Sequence, residues 1–217
     1  FRELVCCVIA ESALTVDDAD RLGMALFVES RAHVKNFILY DVRLAFEALE
    51  NADNVASINL PTSVIVGTIT VVREDNPHCY GAYEVIRSAA NHGFGPLLYD
   101  IAMSYVGTIM PDRGSVSTSA GDVWDFYYKN RHDVEKLEFD DVRDPKTPPL
   151  EDDCLIHKYG GVLNYAYFGA SIDANLLVDK HDSFVNSGVN ADKRQIEELL
   201  IKAATRFFRK RYTSESL

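Results

Sequence analysis

Tyr80-Gly-Ala-Tyr-Glu-Val-Ile-Arg-Ser-Ala-Ala-Asn-His-Gly-Phe-Gly-Pro-Leu-Leu-Tyr-Asp-Ile-Ala-Met-Ser-Tyr105 holds three kinds of local structure in succession. Tyr80 to Ile86 reads as a strand. Asn91-His-Gly-Phe-Gly-Pro96 is a tight loop with glycine punctuation. Beyond it Leu98, Ile101, Ala102 and Tyr105 recur at i, i+3, i+4 and i+7, the spacing of a helix whose first residue is Pro96. A glycine loop that runs straight into a helix leaves backbone N–H groups without helical partners, and those donors at the positive end of the macrodipole suit a pyrophosphate. The same pattern also serves as a plain tight turn. It is not a Walker loop, because no Gly-Lys-Ser/Thr follows. It is not a dinucleotide fingerprint either, since the third glycine is missing.

Working outward, Val64-Ile-Val-Gly-Thr-Ile-Thr-Val-Val72 is rich in β-branched residues and uncharged, and predicts a buried strand. The turn Glu74-Asp-Asn-Pro77 joins it to the strand at 80–86 as a hairpin. On the other side, Ser119-Ala-Gly-Asp122 reads as an imperfect capping signal, followed by Ala120, Val123, Trp124 and Tyr127 on one helical face. Val162 to Phe168 predicts a returning strand, and Lys193 to Tyr212 a last helix with Ile196, Leu199, Leu200 and Ala203 as its apolar stripe. The first third reads as helical after a short strand at 3–10. Thr15-Val-Asp-Asp caps one helix through Leu22, Ala25, Leu26 and Ala32, and a second amphipathic stretch runs from Phe37 to Leu49.

The chain has 217 residues, 33 acidic against 22 basic, for a formal charge of −11. That length and composition fit one domain with a sizeable core. Its parts are an N-terminal helical portion at 1–60, a core at 61–170, and a C-terminal loop and basic helix at 171–217. No apolar run approaches the roughly 18 residues of a membrane-spanning helix, and no small-x-small cleavage site follows the first residues. The negative charge argues against nucleic acid as the main partner. Cys6, Cys7, Cys79 and Cys154 form no C-x-x-C pair and the histidines show no ligand spacing, so no metal is expected. The cysteines read as reduced packing residues of a cytoplasmic protein.

Charge is distributed unevenly. From Asp133 to Asp153 there are nine acidic and three basic residues, with Pro145, Pro148 and Pro149, which predicts an irregular surface excursion. Residues 193–211 hold seven basic residues against two acidic ones. The basic end, Arg206 to Arg211, can dock on the acidic segment, on nucleic acid or, with Phe207-Phe208, on a partner protein. If the acidic segment borders an acceptor site, it would attract a cationic amine.

Residues 64–131 resemble the core of the GNAT superfamily of N-acetyltransferases. The resemblance is carried by Ala90-Asn-His-Gly93-Phe-Gly95, which matches the family's Q/R-x-x-G-x-G/A loop with Ala90 in place of Gln or Arg. It is carried also by Val116-Ser-Thr-Ser-Ala120 with Trp124-Asp-Phe-Tyr127-Tyr128, which is similar to the second motif, an Ala-bearing helix ending in an aromatic pair. Gly93-Phe-Gly-Pro-Leu-Leu-Tyr-Asp100, Met110-Pro-Asp-Arg113 and Leu163-Asn-Tyr-Ala-Tyr also resemble uncharacterised acetyltransferase-like proteins of bacteriophages.

The resemblance implies a mixed α/β fold with a twisted, mostly antiparallel sheet flanked by helices, the loop lying where two strands diverge. It implies acetyl-CoA as co-substrate, held by Val85, Ile86, Asn91, His92, Gly93, Phe94, Gly95 and Pro96. The acceptor would be a primary amine of a protein or small molecule. Tyr127, or Tyr128 if the register differs by one, would protonate the departing thiolate, and Glu84 would be the base. Against these stand plain structural roles: Tyr127 as a core residue and Glu84 as a solvent-facing strand residue. Ser88 and the cluster Ser115, Ser117, Thr118 and Ser119 offer hydroxyls for a nucleophile but lack a G-x-S-x-G elbow, and capping accounts for Ser119. Asp112 and Arg113 read as an ion pair, or Arg113 as a phosphate ligand. The alternative to an enzyme is a catalytically degenerate GNAT-like module that engages a host or virion protein. If phage-encoded, the protein would work in the host cytoplasm or in the virion.

Overall fold

The computed structural model describes residues 14–51, 58–73, 78–187 and 191–215, with side chains to 212. The elements are α1 (Val16–Arg21), β1 (Met24–Arg31), β2 (Val34–Asp41), α2 (Val42–Glu50), β3 (Ile65–Val72), β4 (Tyr83–Ala90), α3 (Gly95–Val106), β5 (Thr108–Pro111), α4 (Thr118–Asn130), β6 (Glu135–Glu138), β7 (Asp140–Asp141), β8 (Asp153–Cys154), β9 (Tyr165–Phe168), α5 (Asn175–Val185) and α6 (Lys193–Glu215). Seven strands form one sheet in the order β1-β2-β3-β4-β5-β9-β6, antiparallel throughout except for the β4–β5 pair.

Alternate side chains of the central strands serve two cores. Leu26, Phe37, Leu39, Ile69 and Val71 face α3 and α4, whereas Ala25, Phe27, Ile38, Tyr40 and Ile65 face α2 and α6. Helix α5 lies along the β1 edge. It gives Leu177 to the first core and Phe184 and Val185 to the second, so the sheet's edge is covered rather than left as a template for another strand.

The N-terminal third departs from the helical reading. Thr15 does cap a helix, with a reciprocal Thr15–Asp18 capping box, but that helix ends at Arg21. Residues 24–41 are then a β-hairpin, in full register from Met24↔Asp41 to Arg31↔Val34. A strand buried on both faces shows no alternation, and Met24, Ala25, Leu26 and Phe27 are all buried. The amphipathic stretch from Phe37 is helical only from Val42, where Asp41 caps the chain. The expected strand at 3–10 and the turn at 74–77 lie outside the described residues.

Elsewhere the expected β3–β4 hairpin, the α3 and α4 helices, the returning strand β9 and the terminal helix are present. The acidic stretch is less irregular than its composition suggests. Glu135–Glu138 joins the main sheet through β9, and β7 pairs with β8. The expected loop at 171–192 contains α5. Cys79 and Cys154, read as reduced, form a disulfide across 75 residues. The cysteines therefore lend no support to a cytoplasmic location, since such cross-links persist mainly in oxidising compartments. No helix of the described residues is long and apolar enough to cross a membrane.

Candidate functional site

Strands β4 and β5 run parallel but pair only over Tyr83–Val85 and Ile109–Pro111. Ile86 is an extra residue in β4, because Thr70 opposes Arg87 while Val71 opposes Val85. From this bulge onward β4 and β5 part. The outer edge of β4, from Ile86 to Ala90, lines a cavity of about 460 Å³. Its other walls are the 91–96 loop with the start of α3, the β5–α4 connection at Asp112 and Ser115–Ser117, the α4 face of Ala120, Val123 and Trp124, and the end of α6.

Local chemistry explains the loop. Asn91 donates its N–H to Val66 on β3, and Phe94 donates to Asn91. Gly93 has φ 86°, a left-handed value that costs a side-chain-bearing residue about 1–2 kcal/mol. The N–H groups of Gly93 and Gly95 find no backbone acceptor among the described residues, and Pro96 follows at the helix start. Such a cradle fits a phosphate. The apolar cleft beyond it, with one open strand edge, fits an extended amide-bearing chain that hydrogen-bonds as an added strand.

Of the residues put forward from sequence, Val85, Ile86, Asn91, His92, Gly93, Gly95 and Pro96 line this cavity together. Phe94 is buried as the residue preceding α3. The aromatic pair lies elsewhere. Tyr127 continues the Ala120–Val123–Trp124 face one turn deeper, is fully buried, and reaches Asp100 Oδ1 at 2.5 Å and the Pro96 carbonyl at 2.8 Å. Burial and the adjoining Asp100 carboxylate push its pKa well above the ordinary value. Tyr128 stands half-exposed against Tyr165, ring centroids 5.2 Å apart.

Glu84, also outside the cavity lining, accepts the backbone N–H of Arg113. Arg113 is neither an Asp112 ion pair nor a cavity residue. Its guanidinium donates to the carbonyls of Pro111 and Leu163 and stacks on Phe139, and burial brings its pKa down to about 10. Asp112 instead accepts from the N–H groups of Gly114 and Ser115. The cap of α4 is Ser117, which accepts from Ala120 N, two residues before the expected signal at Ser119. Asp133–Asp153 does not receive Arg206 or Arg211; these turn to the Leu60 carbonyl and to Asn91.

Two features of the cavity wall were not anticipated: the pairing of Ser88 with Tyr99, and the arrival of Arg211 at the loop. Ser88 Oγ and Tyr99 Oη share a hydrogen bond of 2.9 Å. Burial pushes the Tyr99 pKa up to about 12, so its hydroxyl stays protonated at neutral pH. Arg211, 120 residues away in sequence, reaches the loop. Ser88 and Tyr99 lie within the strand–loop–helix unit, and their i, i+11 pairing follows once β4 is extended to Ala90. Nothing local announces Arg211. Comparison with family models, with curated proteins and with solved structures finds no match to this chain.

Proposed function

We propose that this protein is an acetyl-CoA-dependent N-acetyltransferase of the GNAT kind, which transfers an acetyl group to a primary amine of a protein or small molecule. The observation that carries this reading is the parting of β4 from β5 at the Ile86 bulge, with the Gly93 loop and the start of α3 at one end of the resulting cleft. The strand order, with one parallel pair at the centre of a mostly antiparallel sheet, supports it. Bound acetyl-CoA would supply the activated thioester.

The chain's own residues divide the remaining work. The loop N–H groups hold phosphate, and the free β4 edge orients the extended arm. The proton needed by a departing thiolate comes from the cavity wall, where Tyr99 and Ser88 form a hydroxyl pair. A GNAT-like module without catalysis is the second reading. What favours it is that Tyr127, Tyr128 and Glu84 all lie outside the cavity lining.

Calorimetric titration of acetyl-CoA into the protein tests the proposal, beside a Gly93→Glu/Gly95→Glu variant. Saturable one-to-one binding that the variant abolishes is the expected result. No binding up to about 1 mM, roughly 4 kcal/mol of affinity, would overturn it. Release of free thiol in the presence of a polyamine or lysine peptide then separates the enzyme from the silent module.

A further inference from the structure

The cradle is short of charge. Asn91-His-Gly-Phe-Gly95 contains one ionisable side chain, His92, and Ala90 before it contributes none. Backbone N–H groups orient a phosphate, but a multiply charged anion approaching a chain of net charge −11 also needs a fixed cation close by. The structure brings one in from the far end of the chain. Arg211, on the last turns of α6, lines the cavity and donates Nη2 to Asn91 Oδ1 at 2.5 Å. Asn91 is itself fixed to β3 through its N–H. Phe208 and Tyr212 flank Arg211 on the same rim, their rings stacked 5.9 Å apart, and Arg87 of β4 lies over the Phe208 ring.

We propose that the terminal helix completes the site, with Arg211 as the side chain that binds the phosphates of the nucleotide portion of acyl-CoA at the Asn91–Gly95 loop. The inference rests on the acyl-CoA reading of the cavity. Its chemistry is particular: a guanidinium that touches the loop through the Asn91 amide oxygen stands beside the N–H cradle before the ligand arrives, with a fork of donors that matches phosphate oxygens. Of the seven basic residues of 193–211, Arg211 is the one that lines the cavity.

The experiment compares CoA with acetyl-pantetheine, which keeps the thioester arm and lacks the nucleotide, on the full chain and on R211A and R211K. In the unaltered protein CoA affinity should fall as salt rises while acetyl-pantetheine affinity does not. R211A should weaken CoA at least tenfold and leave acetyl-pantetheine within twofold, and R211K should fall between. A shared loss on both probes, or R211A binding CoA within twofold of the unaltered protein, overturns the role of Arg211. With CoA still bound, it leaves the acyl-CoA reading standing. If the unaltered protein binds neither probe, that reading fails and the inference with it. R211K, which keeps a cation at this position, carries the same comparison of the two probes if R211A folds poorly.

Discussion

Tyr127 and Asp100 meet at 2.5 Å in the first core, the hydroxyl donating to the carboxylate, while Arg131 closes both oxygens of the same carboxylate at 2.8 Å. Asp100 is 8% exposed, and burial raises its pKa against the lowering by Arg131 and Tyr127. The pair therefore locks α3 to α4. Tyr127→Phe leaves one buried carboxylate lone pair unmatched. It should cost about 1–3 kcal/mol, read as a lower melting temperature, with CoA affinity within twofold. Tyr99→Phe should do the reverse if the cavity hydroxyls carry the proton: stability nearly kept, turnover lower by about 10²-fold or more. A turnover loss confined to Tyr127→Phe would return the acid role to α4.

Gly67 on β3 sits against Leu98 of α3. A Cβ there would lie 2.6 Å from Leu98 Cδ1 and 3.3 Å from both the Ala89 carbonyl and Ala90 Cβ. Leu98 is itself buried and cannot swing away freely. Gly67→Ala should therefore destabilise by about 1–3 kcal/mol in chemical denaturation. It should also weaken CoA binding, since α3 would lift at the end that carries the loop. Gly95, whose added Cβ would meet only Val123 Cγ2 at 3.9 Å, should accept alanine with little loss of stability.

How far the sequence announces this fold depends on the number of faces an element buries. The β3 run at 65–72 and the loop before α3 are legible because β-branched density, glycine and proline act locally. The 24–41 hairpin is not, since its two buried faces erase the period-2 signal and leave an accidental near-helical spacing through Leu22, Ala25, Leu26 and Ala32. Helix α5 escapes for a related reason. Asn175-Leu-Leu-Val-Asp-Lys-His-Asp-Ser-Phe-Val185 divides its apolar residues between two cores, and His181 holds a buried position. For the site, the cradle is readable from sequence. Arg211 and the depth of Tyr127 depend on packing between distant elements, which no local pattern encodes.

The Cys79–Cys154 bond ties the turn before β4 to the end of the acidic segment. Around it Tyr80 N–H donates to the Glu151 carbonyl, Tyr80 Oη to that of Glu138, and Cys79 and Tyr80 hold left-handed φ values of 58° and 54°. Opening a cross-link over 75 residues should cost about 2–4 kcal/mol. The expected signs are a lower unfolding midpoint in reductant and faster proteolysis between Asp140 and Asp153, both reproduced by Cys154→Ser. None of these residues lines the cavity, so CoA affinity should be unchanged. Equal stability with and without reductant would mean the bond contributes nothing to the fold.

His181 sets a pH dependence of stability. It is 3% exposed, stacked on Phe27, with Tyr40 Oη 2.8 Å from Nδ1 and Glu197 3.7 Å from Nε2; Asp182 and Lys193 stand nearby. Burial keeps the Tyr40 hydroxyl protonated, so it donates to Nδ1, and that bond requires a neutral imidazole acceptor there. Burial lowers the His181 pKa from 6.5 to about 4. Between these values the unfolded chain binds the proton and the folded one does not. Stability is therefore complete above pH 6.5 and falls as pH drops toward 4, by up to about 3 kcal/mol. Glu197 at 3.7 Å would favour the charged ring, but desolvation is the larger effect at so buried a site. His181→Gln keeps an acceptor for Tyr40 and removes the titration. Denaturant midpoints measured from pH 7 to 4 should diverge from those of this variant below pH 6.5, the unaltered protein losing more. Parallel profiles would mean that the ring titrates at the same pH in the folded and unfolded chain, the Glu197 contact offsetting its burial.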